Sequence, residues 1–249
     1  MFALIDLTAL LFVLFSSIAV VLASGSSGNS KIGLLAALPE IGIFGMYAGL
    51  IMMMSNMHDP ANLPSAIAVA FMVILYASII GFVVVSMLST DDKSEVPDAS
   101  WRPIAGAALF LATVSTIFYE YAASMLISEA VLLVAMLIAI CRGAQYFSGR
   151  NDPSQILSLL PSIGLLIGGM GLILALINIS DPKSVGPALA ISVGGIMYTS
   201  LIKILWLILR PGNVQQSGGV SAVIDWAPAR LAFFGLSILI IFLSLGDLD

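Results

Sequence analysis

Long apolar segments follow one another along this chain, separated by short polar stretches. Only 9% of its 249 residues are charged, whereas soluble domains carry about a quarter charged residues. A helix needs about 20 mostly apolar residues to cross a bilayer, and in lipid only helices and closed barrels satisfy every backbone polar group. The apolar runs are continuous rather than alternating, which excludes a barrel. The sequence therefore predicts an all-α, polytopic membrane protein surrounded by the lipid bilayer.

One stretch of the chain occurs twice. A shift of 122 positions lays Leu38–Ile80 on Leu160–Ile202 without a gap, and 16 of the 43 aligned residues are identical. A second pair of motifs, Trp101-Arg-Pro103 and Trp226-Ala-Pro228, opens an apolar run in each half at an offset of 125. We interpret the chain as an internal duplication, with residues 1–122 as the first membrane repeat and residues 123–249 as the second.

Eight transmembrane helices fit this pattern, four in each repeat. They are predicted near residues 3–24, 33–57, 63–88, 103–120, 125–146, 155–179, 186–209 and 227–245. The first run, Phe2 to Ala23, has no basic residue before it and exceeds the apolar core of a secretory signal, about 7 to 15 residues, so we expect it to be retained. Four crossings return the chain to its starting side, so the repeats are parallel rather than inverted.

Basic residues in the loops indicate which side faces the cytoplasm. The odd-numbered loops and their borders hold Lys31, Lys93, Arg102, Arg142, Arg150 and Arg210, whereas the even-numbered loops hold Lys183 and, beside Asp59, His58. The odd loops are therefore predicted to be cytoplasmic, and both termini non-cytoplasmic.

The duplicated stretch has a recurring set of glycine, proline and polar residues. Glycines spaced by three and four positions lie on one side of a helix, and small residues let helices approach closely in lipid. We expect a tight helix contact there, followed by a turn in which Asn, Asp and Pro fix the backbone. The residues are Pro39, Gly42, Gly45, Gly49, Asn56, Asp59 and Pro60 in the first copy, and Pro161, Gly164, Gly168, Gly171, Asn178, Asp181, Pro182 and Pro187 in the second.

This pattern resembles the third and fourth helices of the MotA/TolQ/ExbB proton-channel family, closest to its flagellar stator branch. The matching text is Leu38-Pro-Glu-Ile-Gly-Ile-Phe-Gly45 through Leu75-Tyr76 in one copy and Leu160-Pro-Ser-Ile-Gly164 through Tyr198 in the other. The resemblance covers about 43 residues in each repeat. It implies a multi-pass protein of the bacterial inner membrane, in a homo- or hetero-oligomeric ring around single-span partner helices that contribute a membrane aspartate.

The family lines its ion path with threonines, and this chain departs from that pattern. Met46 and Gly168 replace one threonine, while Val73-Ile74 and Gly195-Ile196 replace a Thr-Thr pair. The large cytoplasmic domain of the stator branch is also missing. Two versions of the function follow, a proton-conducting subunit or a structural ring member. Because each chain carries two four-helix units, a ring of such chains has an even number of units unless a single-unit homologue joins it.

Glu40 is the principal candidate for an ion path. An ionisable side chain at membrane depth costs about 2.5 to 3.5 kcal/mol on insertion scales, so it is expected to have a function or a partner. Glu40 is either a proton or cation relay or a carboxylate paired with Lys31 or a neighbouring chain. Lys203 is expected to extend to water at a helix end. The motif residues Tyr76 and Tyr198 and the helix-breaking Gly195 complete the ion-path candidates.

Two other functions compete with the ion-driven complex. A secondary transporter would have its substrate site between the two repeats, and a non-conducting membrane scaffold would need no site. We predict no enzyme activity, since the sequence contains no nucleophile with a base, phosphate loop or metal-ligand set. With one histidine, the single cysteine Cys141 and a net charge of -5, the chain is also expected to have no metal, cofactor or nucleic-acid partner.

Overall fold

The computed structural model describes residues 6–25, 27–55, 63–87, 101–147, 153–178, 182–210 and 227–246. In these ranges every regular element is helical, which confirms the all-α class. The helices are α1 Leu7–Ser24, α2 Ser27–Ser55, α3 Leu63–Ser86, α4 Trp101–Ile117, a 3-10 turn Tyr119–Tyr121, α5 Ala122–Met125, α6 Ser128–Phe147, α7 Pro153–Ile177, α8 Pro182–Leu209 and α9 Ala227–Gly246.

Six helices in the described ranges are long and apolar enough to cross a membrane. The bent pair Trp101–Ile117 and Tyr119–Met125 would make a seventh, and α9 contains a shorter apolar stretch, Arg230–Leu239. The chain is thus a protein of several apolar helices that fits a multi-pass membrane protein, while the number eight remains a prediction.

The ends of α1 follow from two residues. The Asp6 carboxylate accepts a hydrogen bond from the Ala9 backbone N–H at 2.7 Å, as expected of an N-cap. At the other end Gly25 adopts φ 77°, a left-handed conformation that side chains other than glycine's disfavour. The second helix then begins at Ser27 rather than near residue 33, because the polar segment after Gly25 continues into α2.

The junction between the two predicted repeats is more irregular than expected. The predicted fourth helix, 103–120, ends as an α-helix at Ile117 and turns by 74° into Tyr119–Met125. The next long helix starts at Ser128 instead of residue 125. The polar side chains of Tyr119 and Glu120 are exposed at this bend, where a straight apolar helix would have to bury them.

The core of the bundle is formed by α2 and α8, one helix from each half of the chain. Within an 18-residue apolar window of each helix, 89% of the residues of α2 and 72% of those of α8 are buried, against 22% in α3 and 11% in α6. These two helices pack against each other. In the first half α1 packs on α4, whereas α9, the last helix of the second half, packs on α2, α7 and α8. The two fourth helices therefore have different surroundings.

The most extensive helix contacts are α2 with α3 and α7 with α8, two pairs whose sequences align at the offset of 122. Glycines lie at both. Gly49 faces Ala70, and the equivalent Gly171 faces Ser192. One helix turn away, the small and the large residue change places between the two helices. In the first half Gly45 of α2 faces Val73 of α3, while in the second half Ile167 of α7 faces Gly195 of α8. Both pairs combine a glycine with a β-branched residue, so both allow a close helix approach.

We expect Gly171→Ala to destabilise the bundle by about 1 to 3 kcal/mol, because overpacking a filled contact forces backbone shifts. A methyl group there would lie 2.5 Å from the Ser192 backbone nitrogen. Gly143→Ala on α6 is the matched control, since nothing lies within 4 Å of its added methyl group and alanine favours the helix. Thermal unfolding in detergent would compare them; equal stability of the two variants would contradict the contact.

Candidate functional site: a buried ion cluster

Three charged side chains meet in the interior of the bundle. The two carboxylate oxygens of Glu40 on α2 bind different cations. Lys203 Nζ of α8 lies 2.8 Å from Oε1, and Arg230 Nη1 of α9 lies 2.6 Å from Oε2. Each of the three side chains is at most 5% exposed. We call Glu40, Lys203 and Arg230 the ion cluster.

Arg230 makes further contacts but leaves part of its guanidinium unpaired. Its Nη1 donates to Ser200 Oγ at 3.3 Å, and the Tyr47 hydroxyl donates to its backbone carbonyl at 2.8 Å. Its Nε and Nη2 have no hydrogen-bond partner among the described residues. The three charges sum to a formal +1, so the single carboxylate does not neutralise both cations.

Helix periodicity brings these groups together. Ser200 and Lys203 are three positions apart on α8 and so share one face. Arg230 and Phe234 are four apart on α9, and both reach α2, where the Phe234 ring packs edge-to-face on Tyr47 with centroids 5.8 Å apart. On α2, Glu40 follows Pro39, which lacks the backbone N–H that would bond to the Leu35 carbonyl.

The ion cluster joins the two halves of the chain. Glu40 belongs to the first half, and both cations belong to the second. At the offset of 122, Glu40 corresponds to Ser162 and Lys203 to Gly81. At the offset of 125 that relates the two Trp-x-Pro motifs, Arg230 corresponds to Ala105. The equivalent positions therefore lack all three charges, and the duplication does not repeat the cluster.

Two expectations about these residues change. The prediction that Lys203 reaches water is wrong, because this side chain is 5% exposed and binds Glu40 instead. Of the partners suggested for Glu40, Lys31 instead donates to the Met87 carbonyl at 2.9 Å. Sequence reasoning missed Arg230, although a signal was present: it is a basic residue early in an apolar run, opposite in sign to Glu40.

The two motif tyrosines bind backbone rather than the ion cluster. The Tyr76 hydroxyl accepts from the Asp6 N–H at 3.2 Å, where α1 begins. The Tyr198 hydroxyl accepts from the Ile127 N–H at 3.0 Å and donates to the Met125 carbonyl, just before α6. Each tyrosine thus connects the third helix of its half to the start of the first helix of that half.

The other predicted residues lie along the helices or outside the described ranges. The helix break expected at Gly195 is absent, because Gly195 lies within the continuous helix α8, packed on Ile167. Gly42, Gly45 and Gly49 face α3, and Gly164, Gly168 and Gly171 face α8. Pro39 lies inside α2 and Pro161 inside α7. Pro182 begins α8, and Pro187 is exposed on the same helix. The Asn178 side chain donates a hydrogen bond to the Leu174 carbonyl at 2.8 Å. Asn56, Asp59, Pro60 and Asp181 lie outside the described residues.

Comparison with known proteins adds no assignment. No protein-family model, curated protein or solved structure matches this chain. Among the described residues, no three of His, Cys, Asp and Glu lie close enough together to hold a metal ion. The chemistry available to the site is therefore that of its charges: pairing across the two halves and attraction of an anion by the excess positive charge.

We expect Glu40→Gln to destabilise the protein by about 3 to 5 kcal/mol, because it leaves two buried cations without their carboxylate. Replacing all three cluster residues by methionine should restore much of that loss, since apolar side chains avoid the uncompensated charge. Denaturant unfolding of the purified protein measures both. Glu120→Gln is the control, as Glu120 is exposed. Similar unfolding of Glu40→Gln and Glu120→Gln would show that the pairing adds no stability.

Proposed function

We propose that this chain is a multi-pass, ring-forming subunit of a membrane complex of the MotA/TolQ/ExbB type, in which it is a structural member rather than the proton path. The observation that carries the proposal is a pair of apolar faces that are buried in one half of the chain and open in the other. The resemblance of the duplicated stretch adds the expected setting, an inner-membrane complex of eight-span chains around single-span partner helices.

The first of these faces belongs to the third helix of each half. On α8 it contains Val193, Met197, Ser200 and Ile204, all at most 2% exposed, at spacings that place them on one side of the helix. The equivalent residues of α3 are Phe71, Leu75, Ser78 and Phe82, and the three apolar side chains among them are 50%, 44% and 77% exposed.

The second face belongs to the second helix of each half. On α2 it contains Glu40, Phe44, Tyr47 and Ile51, all at most 4% exposed. The equivalent residues of α7 are Ser162, Leu166, Gly169 and Ile173, where Leu166 is 52% and Ile173 is 59% exposed. On α2 this face meets Lys203 of α8 through Glu40, and Tyr47 packs on Phe234 of α9. The equivalent faces of α3 and α7 are largely exposed, and among the described residues they contact α9, where Phe234 packs on Phe71 and Phe233 lies near Gly169.

A second copy of the chain can fill both openings. Within one copy α2 packs on α8, and the corresponding helices are α7 and α3. If α7 of one copy packs in this way on α3 of the next copy, the contact is head-to-tail and repeats until a ring closes. Such a ring has an even number of four-helix units, or includes a single-unit homologue. The open faces are wide and apolar, as expected of surfaces that meet a helix or lipid.

The same contacts favour the structural version over the conducting one. Glu40 is held by two cations at 2.8 and 2.6 Å, so its charge is committed to joining α2, α8 and α9. The buried hydroxyls of α8 also bind backbone: Ser192 donates to the Gly168 carbonyl and Thr199 to the Gly195 carbonyl. These groups stabilise helix contacts, and the threonines of the family's ion path are replaced in this chain.

Cross-linking tests the ring. In a Cys141→Ala background, Ser162→Cys and Gly81→Cys occupy the positions equivalent to Glu40 and Lys203. We expect a short bis-maleimide to join the two variants when each is carried by a different chain, and a ladder of multiples when one chain carries both. The control pair is Ser162→Cys with Met136→Cys, because Met136 lies on the exposed face of α6.

Two results would contradict the proposed ring or its even number of units. Cross-links no more frequent than in the control pair, together with particles of one or two chains by electron microscopy, would remove the ring. A symmetric pentamer built from single four-helix units cut from this chain would contradict the even count of units.

Proton flux tests the structural role. We expect the purified chain in proteoliposomes to pass protons no faster than protein-free vesicles under an imposed pH gradient. Glu40→Gln and the three-methionine variant of the ion cluster are measured beside it, with Glu120→Gln as control. Flux above background that Glu40→Gln abolishes, while the methionine variant stays folded, would show that Glu40 belongs to an ion path.

A secondary transporter is the second candidate, and one observation favours it. The ion cluster lies between the two halves, where a substrate site of a duplicated transporter is expected, and its unpaired Arg230 nitrogens would suit an anionic substrate. The cross-linking and particle measurements separate the two functions, since a transporter of this kind works as a monomer or dimer without the α3 to α7 contact.

A further inference from the structure

A cavity of about 250 Å³ opens between α6, α7 and α8, and no residue of the ion cluster lines it. Its lining residues are Ile138, Arg142, Leu157, Leu160, Ile202 and Trp206. Arg142 lies five residues from the end of α6, Trp206 three from the end of α8, and Leu157 four from the start of α7. The cavity is therefore within about two turns of one end of the bundle, the end that the basic residues predict to be cytoplasmic.

The polar groups in and beside this cavity are hydrogen-bond donors, and two of them carry a positive charge. Arg142 is exposed and has no hydrogen bond or ion pair with any described residue. The Trp206 indole N–H is buried and has no partner in the described part of the chain. The Arg210 guanidinium lies 4.7 Å from the centre of the Trp206 ring, which adds a second positive charge beside the cavity. The remaining lining is aliphatic.

We propose that this cavity binds an anionic phospholipid. The headgroup phosphate accepts hydrogen bonds from Arg142 and Trp206, and an acyl chain lies along Leu157, Leu160 and Ile202. Charge complementarity at a membrane boundary favours this ligand. Basic pockets between membrane helices attract anionic headgroups, arginine suits phosphate oxygens, and tryptophan favours the interface. A zwitterionic lipid would bring its own cation close to two arginines.

The first half of the chain does not repeat the polar groups of this cavity. At the offset of 122, Arg142 corresponds to Val20 and Trp206 to Val84. The first half therefore has neither the cation nor the indole donor at the equivalent place.

The chain's own tryptophan allows a direct test. Trp101→Phe and Trp226→Phe leave Trp206 as the sole tryptophan, and lipids with brominated acyl chains quench the fluorescence of an indole that they contact. The protein is reconstituted in phosphatidylcholine vesicles that contain an equal small fraction of either brominated phosphatidylglycerol or brominated phosphatidylcholine. We expect several-fold stronger quenching by the brominated phosphatidylglycerol.

Variants locate the preference. Arg142→Gln should abolish it, Arg142→Lys should keep part of it, and Arg102→Gln should leave it unchanged, because Arg102 lies at the start of α4 and does not line the cavity. Retention of each variant on size exclusion shows that it is folded. The proposal is wrong if the two brominated lipids quench equally, or if Arg102→Gln removes the preference as fully as Arg142→Gln. It is also wrong if millimolar glycerol 3-phosphate displaces the brominated lipid, which would indicate a site for soluble anions.

Discussion

The pairing of one buried carboxylate with two cations constrains the arrangement of this bundle more than any other contact. In an apolar interior an isolated charge loses several kcal/mol of hydration, so Glu40, Lys203 and Arg230 must meet if any of them is to be buried. Their meeting sets how far α2, α8 and α9 slide along one another. It also agrees with the path of α9, which packs on α2, α7 and α8, whereas the corresponding helix of the first half, α4, packs mainly on α1.

The ion cluster makes the two halves of the chain pack differently, although their sequences are similar. Both halves keep the same glycine-rich helix pair and the same tyrosine contact with the start of their first helix. Only the first half supplies the carboxylate and only the second half the cations. The first half therefore buries most of its second helix, α2, and the second half buries most of its third helix, α8. The corresponding faces of α7 and α3 stay largely exposed. In the ring proposed above, these two unlike faces would meet head-to-tail.

Much of the fold was predictable, because its signals are local. The all-α class, the presence of several long apolar helices and the glycine spacing follow from residue order alone, whereas the start of α2 at Ser27 and the bend after Ile117 do not. The pairing of faces was not predictable, since in a membrane the side of a helix that meets lipid is as apolar as the side that meets a helix. Phe71 and Val193 are equivalent and both apolar, yet one is 50% exposed and the other is fully buried. Arg230 was missed for a related reason: its partner lies 190 positions away, beyond any periodicity.

The exchanged contacts Gly45 with Val73 and Ile167 with Gly195 have a consequence for how the two halves diverged. Both arrangements fill the same gap, but from opposite helices. A chain with large residues on both sides could not close the gap, whereas a chain with two glycines would fold around a small void. If one arrangement descended from the other by single replacements, the two-glycine form is the intermediate that remains foldable. The large side chain would then have been lost from one helix before a large side chain appeared on the other, so the substitutions would have occurred in that order.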